Sequence, residues 1–404
     1  MQKVLKGSVN MSIKTNFKHT IAACYIGYIT QAIINNFIPL LFITFNSIYN
    51  ISIERIGLLV TVNFFTQLIV DMIAAKAADK LGYRILVVAA HVFAVIGLVS
   101  LAVLPDILPD PYIGICFSII LYAIGGGLTE VIISPIVEAC PTDGKSAAMS
   151  LLHSFYCWGS VVVVAGTTIF FSVFGTEQWR IAACFWAVIP FFNIFYFMLV
   201  PINKLTEVGE GMSVRQLLKS GKFRILAIFM LCAGASELAM SQWASAFAEN
   251  GLNISKTMGD LLGPCFFAIL MGTSRIVHAK LGEKIGLEKY LGISAYVCIA
   301  SYLIAAFSPL PILSLVGCGI CGFSVGAMWP GTFSLATEKI PKGGTAMFAL
   351  LALAGDCGCG FGPAVVGFVS GALNDNLKLG IVSAVIFPII LLLGIIFTNK
   401  RKLY

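Results

Sequence analysis

The chain is built from long apolar runs separated by short polar breaks. A helix that crosses a bilayer needs about 20 mostly apolar residues. Twelve segments meet that length: 20–46, 55–78, 84–104, 111–139, 146–173, 179–201, 223–248, 258–281, 287–308, 310–337, 345–372 and 377–398. The longest polar stretch, 202–222, lies mid-chain and carries Lys204, Glu207, Glu210, Arg215, Lys219 and Lys222. The pattern predicts an all-α membrane protein with twelve transmembrane helices. They divide into an N-terminal six-helix bundle (1–201), a cytoplasmic linker (202–222) and a C-terminal six-helix bundle (223–404).

The basic residues orient this arrangement. With the N-terminus inside and the loops alternating, 21 of the 26 Lys and Arg fall on the inner side. Arg55, Arg180, Lys256 and Lys378 fall outside, and Arg275 lies within a helix. Cytoplasmic loops carry such an excess, and an error of one span would scramble it. Both termini are expected in the cytoplasm, with the protein in the cell or inner membrane.

Composition narrows the class further. Of 404 residues, 58% are hydrophobic and 11% charged, less than half the usual charged share of a soluble domain. A soluble enzyme, a nucleic-acid binder and a disulfide scaffold are all set aside. The twelve cysteines lie almost entirely in apolar runs and read as small packing residues. Cys318-x-x-Cys321 has only Gly and apolar flanks, so no metal site is expected. The first 19 residues are too polar for the core of a signal peptide. No nucleotide-binding motif appears and no cofactor is expected. The four His are scattered, which gives an enzyme no catalytic cluster.

The two halves echo one another. Ala75-x-x-x-Asp79-Lys80-x-Gly82 closes the second span, and Ala279-x-x-x-Glu283-Lys284-x-Gly286 closes the eighth, 204 residues later. Asp71 and Arg275 share that offset. Ala148-Met149 answers Ala346-Met347, and Pro135 answers Pro330. These matches predict two pseudo-symmetric halves of parallel topology, as in transporters built from internal repeats.

The Asp79-Lys80-x-Gly82-x-Arg84 loop resembles the signature motif of the major facilitator superfamily, with Ala75 where Gly is usual and Tyr83 where a basic residue is usual. The resemblance implies the major facilitator fold and a cytoplasmic gate in which Asp79, Gly82, Arg84, Glu283 and Gly286 take part. Gly82 permits the tight turn, and Arg84 is expected to anchor at the headgroups.

Charges inside spans cost roughly 2.5–3.5 kcal/mol on insertion scales and usually face the bundle interior. The candidates are Asp71, Glu130, Glu237, Arg275 and Asp356. Asp71 and Arg275 occupy equivalent places, where they could pair across the interface or each find a local partner. Glu130 follows Gly125-Gly126-Gly127 and precedes Pro135 by five residues, and its counterpart, Val325, is apolar. A carboxyl there is a candidate proton carrier. His91 reads as structural.

The Leu128-x-Glu130-x-x-x-x-Pro135 pattern and the Asn35-Asn36-x-x-Pro39 segment resemble the L-fucose permease branch, the fucose–galactose–glucose proton symporters. That resemblance makes Glu130 part of a proton-coupling machinery. Asn35 stands where the permease has an Asp, which leaves Glu130, alone or with His153. His153 replaces a sugar-binding Gln. Glu237-x5-Trp243 matches a spacing seen in relatives of the branch. The implied substrate-binding candidates are Gln31, Asn35, Asn36, His153, Glu237, Trp243, Trp329 and Asp356, with either Trp able to stack on a sugar ring. The expected function is secondary active transport of a small polar solute, a sugar or sugar-like molecule, taken up with a proton by a monomer. Proton-coupled efflux of cationic or amphipathic drugs is the alternative, since acids inside the spans suit a cation.

Overall fold

The computed structural model describes residues 13–141, 145–203 and 212–401. Within them, the side chains of 75–80, 138, 145–150, 153, 279–284, 344–345 and 399–401 lie outside the description. Among the described residues, twelve helical spans are long and apolar enough to cross a bilayer. They are α1 (Phe17–Tyr49), α2 (Ile53–Ala74), α3 (Tyr83–Ile107), α4 (Pro111–Val137), α5 (Ser154–Phe174), α6 (Thr176–Leu199), α7 (Gly221–Gly251), α8 (Lys256–His278), α9 (Leu287–Phe307), α10 (Pro311–Lys339), α11 (Ala346–Ala372) and α12 (Leu377–Thr398). Most joining turns are too short to recross a hydrocarbon core of about 30 Å. Successive spans therefore alternate in direction. We call the end that carries Phe17 proximal and the opposite end distal.

The spans pack chiefly within the first six and within the last six. Between the sets, α2 lies along α11 and α5 along α8. The repeat read from the sequence reappears in the backbone. Gly82 (φ 83°) and Gly286 (φ 88°) hold matching left-handed turns before α3 and α9. A residue without a Cβ adopts that conformation at no steric cost. Asn50 (φ 53°) and Asn253 (φ 56°) likewise follow α1 and α7.

Arg84 departs from the expected headgroup anchor. Its guanidinium donates to the carbonyls of Phe197 (2.7 Å), Met198 (2.9 Å) and Val200 (2.8 Å). The last carbonyls of a helix have no intrahelical donor, and a cation suits that end of the helix dipole. Arg84 thus caps α6. The signature-motif acids Asp79 and Glu283 lie outside the described side chains.

Among the described residues α1, α7, α8, α10 and α12 are each interrupted within the span, three of them at a tight turn or a π-turn. In α1 the helix gives way to a tight turn at Ile38–Leu41, where Pro39 sits. Proline lacks an N–H and leaves the carbonyl four residues earlier without its helical donor. In α7 a π-turn covers Phe247–Gly251, and in α8 another covers Leu261–Cys265 around Pro264. Such turns recur at functional sites. The apolar pattern alone began the eighth span at 258, with Lys256 in a loop. The helix in fact begins at Lys256, because Ser255 is extended and a turn closes behind it.

Candidate functional site

A narrow cavity lies between the two sets of spans. Asn36 of α1 and Tyr156 and Ser160 of α5 line one wall. Glu237, Ser241 and Gln242 of α7, with Pro264, Phe267 and Met271 of α8, line the other. A concave space bounded by apolar surface and a few convergent polar groups is the expected form of a small-molecule site. Its position between repeats also matches where transporters bind solute.

Hydrogen bonds within and between helices hold Asn36, Ser160 and Gln242 in the walls. Asn36 donates from Nδ2 to Ala32 O (2.9 Å) and to Ser160 Oγ (3.0 Å). Ser160 in turn donates to Tyr156 O (3.0 Å). Gln242 donates to Asn35 O (3.0 Å). That carbonyl is the one Pro39 leaves without its helical donor, so the break in α1 creates the acceptor that α7 uses. Glu237 is buried at the cavity wall.

Behind the first wall runs a chain of buried amides. Glu130 on α4 accepts from Gln31 Nε2 (3.4 Å), which also donates to Gln67 Oε1 (2.8 Å). Gln67 Nε2 donates to Asn35 Oδ1 (2.9 Å) and Asn63 Oδ1 (3.0 Å). Asn63 donates to Asn35 Oδ1 (3.1 Å), and Asn35 Nδ2 donates to the Tyr156 hydroxyl (3.4 Å). The chain thus connects Glu130 to Tyr156 at the cavity. One buried acceptor, Gln31 Oε1, has no hydrogen-bond partner.

The structure brings Gln31, Asn35, Asn36, Glu130 and Glu237 into this one system. Asp71 lies beside Gly127 on α4, and Asp71 and Asp356 are within Coulombic range of Glu130. No ion pair joins Asp71 to Arg275 among the described residues. Arg275 is instead within Coulombic range of Glu237. Trp243 has no face open to the cavity. It is fully buried, donates to Pro363 O (3.0 Å) and packs edge-on against Phe42. Trp329 lies over Gly355 beside Phe333. The side chain of His153 lies outside the description. His91 is a satisfied packing residue. Its Nδ1 lies 2.8 Å from Val87 O, so it carries the proton, and Nε2 accepts from Asn193 (2.9 Å).

Sequence reading missed Tyr156, Ser160, Ser241, Gln242, Asn63 and Gln67. A usable signal was present: Asn63 and Gln67 stand one turn apart on a single face of an apolar helix. It also passed over Asp260, a sixth in-span charge, fully buried in the first turns of α8.

Residues 24–363 match the Major Facilitator Superfamily profile. The chain belongs to the major facilitator superfamily. It is an integral membrane protein of a transporter family, with that family's fold. It is 21% identical over 257 residues to "Membrane protein MosC" of Rhizobium meliloti, a match covering 64% of this chain and 62% of that protein. Among solved structures it resembles the nucleoside transporter NupG, with a TM-score of 0.77, 13% identity, and coverage of 94% of this chain and 99% of that one. It also resembles the E. coli fucose:proton symporter FucP, with a TM-score of 0.63, 17% identity, and coverage of 93% and 98%. At these identities the likeness establishes the fold alone.

Proposed function

We propose that this superfamily member is a proton-coupled uptake transporter for a small polyhydroxylated solute, a sugar or sugar-like molecule. The observation that carries this reading is the amide chain from Glu130 to the cavity wall. A proton on the Glu130 oxygen that faces Gln31 turns an acceptor into a donor. The amides beyond it must then re-pair in sequence, and Tyr156 senses the change at the cavity. Hydroxyl and amide groups on both walls suit a solute rich in hydroxyls. FucP and NupG, proteins of this fold, are by name a fucose:proton symporter and a nucleoside transporter.

Alternating access then amounts to rocking of an N-terminal bundle, 1–201, against a C-terminal bundle, 223–404, about the linker 202–222. The working unit is a monomer in the cell membrane, with both termini cytoplasmic. Arg275, Asp71 and Asp356 act at the interface between the bundles, with Asp79, Gly82, Arg84, Glu283 and Gly286 framing the proximal gate. His153 and Trp329 remain candidates for solute contact.

Glu237 on the cavity wall favours one competing reading, proton-coupled efflux of a cationic compound. Uptake into proteoliposomes under an imposed pH gradient separates the two, using a panel of sugars and nucleosides against a cationic dye. Sugar accumulation driven by the gradient is expected. Dye extrusion with no sugar or nucleoside uptake sinks the proposal. Glu130→Gln should abolish proton-driven accumulation while leaving counterflow exchange largely intact.

A further inference from the structure

One pair of buried opposite charges lies outside the cavity and outside the Glu130 chain. Lys256 opens α8 at its distal end, and Asp260 follows one turn later. Their side chains are 15% and 1% exposed, with Lys256 Nζ 3.5 Å from Asp260 Oδ2. Burying such a pair costs several kcal/mol per ion and repays it only where further hydrogen bonds complete both groups. Here they do, and the partners come from both sets of spans.

From the last six spans, Ser245 on α7 donates to Asp260 Oδ1, and Glu249 Oε2 lies 3.9 Å from Lys256. From the first six, Thr168 on α5 donates to Asp260 Oδ2 (3.1 Å). The carbonyl of Leu40, in the broken turn of α1, accepts from Lys256 Nζ (2.7 Å). We propose that Lys256 and Asp260 form a latch that holds the distal end of the cavity shut by gripping Leu40 and Thr168 across the interface.

The division of partners is what makes it a latch. If the two sets part as rigid bodies, Lys256, Asp260, Ser245 and Glu249 travel together. Only the bonds to Leu40 and Thr168 break. Water entering from the distal side then hydrates the exposed pair, which offsets the bonds lost. The grip is strong when dry and weak when wet, which gives two stable positions rather than a continuum. The π-turn Leu261–Cys265 contains the cavity-lining Pro264 and lies between the latch and the cavity-lining Phe267 and Met271. Movement of the first turn of α8 is therefore passed to the cavity wall. The inference concerns closure alone and holds whatever the solute or coupling ion.

The test uses the full chain in lipid nanodiscs. Spin labels are placed at Ile107 and Ile312, exposed distal positions on opposite sets. They are introduced as a noncanonical amino acid to spare the native cysteines. Pulsed electron spectroscopy then reads the distance distribution without solute. The unsubstituted protein should populate mainly the short distance. Lys256→Ala removes a charge-assisted bond and should raise the long-to-short ratio about tenfold or more. Thr168→Val keeps the side-chain shape, removes only the crossing hydroxyl, and should raise the ratio roughly threefold. A structural role alone would lower the melting temperature and leave the distances unchanged. Unchanged distributions in both variants would falsify the latch. If Lys256→Ala does not purify folded, Thr168→Val decides by itself.

Discussion

Gln67 is the branch point of the amide chain, and its two ends face different tasks. Its Nε2 donates to Asn35 and Asn63, while its Oε1 accepts a hydrogen bond from Gln31 Nε2. Gln67→Leu keeps much of the volume and strands buried amide groups, each costing about 1–3 kcal/mol. The expected result is a lower melting temperature together with loss of gradient-driven accumulation, read in the same proteoliposome assay. Accumulation that survives a confirmed loss of stability would mean the chain only supports the fold. Glu237 makes the opposite kind of prediction. It lies on the cavity wall, so Glu237→Gln should raise KM about tenfold, the equivalent of one charge-assisted hydrogen bond. The maximal rate should change little, which initial-rate measurements against solute concentration would show. Glu130 and Glu237 were legible in the sequence because a charge in an apolar run is costly and is rarely kept without a task. Asn63, Gln67 and Gln242 were not, because uncharged amides cost less in a span and attract less notice. Asp260 escaped for a different reason: it stood close to the predicted start of its helix, where a polar residue looks like a loop residue.

At the scale of helices, prolines and glycines determine where backbones open and where they touch. Pro39 is the clearest case, because its missing N–H leaves Asn35 O free for Gln242. Pro39→Ala would supply that N–H and let α1 close on itself. Solute exchange should slow several-fold, and hydrogen exchange should report a newly protected amide at position 39. Unaltered exchange at full protection would show that the break in α1 is incidental. The seam between α7 and α11 works in the other direction. A Cβ on Gly358 would collide with Leu231 O, and one on Gly362 with Ala235 O. Backbone cannot give way as a side chain can, so Gly358→Val should exceed the 1–3 kcal/mol usual for overpacking. Loss of folded protein by size-exclusion chromatography is the expected readout. The twelve spans and the half-chain repeat were legible because apolar length and turn glycines are local signals. The breaks in α7 and α8 were not, since a π-turn depends on what packs around it rather than on its own residues.

Across the molecule, hydrogen bonds between described residues join the two sets of spans on the distal side. Thr61 donates to Gly360 O (2.9 Å), Gln242 to Asn35 O, Lys256 to Leu40 O and Thr168 to Asp260. All four lie at or beyond the cavity on the distal side. Where α2 crosses α11, a Cβ on Gly57 would stand 3.2 Å from Gly367 Cα, 3.3 Å from the Trp243 ring and 3.4 Å from Pro363 O. The indole of Trp243 therefore forms the floor of this crossing, which accounts for its burial far from any open face. A larger side chain at Gly57 has nowhere to go while the crossing is made. Gly57→Leu should wedge the distal end apart, because three groups fixed in two helices and an indole must all shift to admit it. The 107-to-312 distance should move to its long value. Solute exchange across the membrane should stop, since a site that cannot close on one side cannot open on the other without becoming a leak. Binding from the distal side should persist, as calorimetry with the transported solute would show. Exchange at the normal rate in Gly57→Leu would mean that the α2–α11 contact is not the closed gate. The transport cycle would then have to turn on the latch at α8 alone.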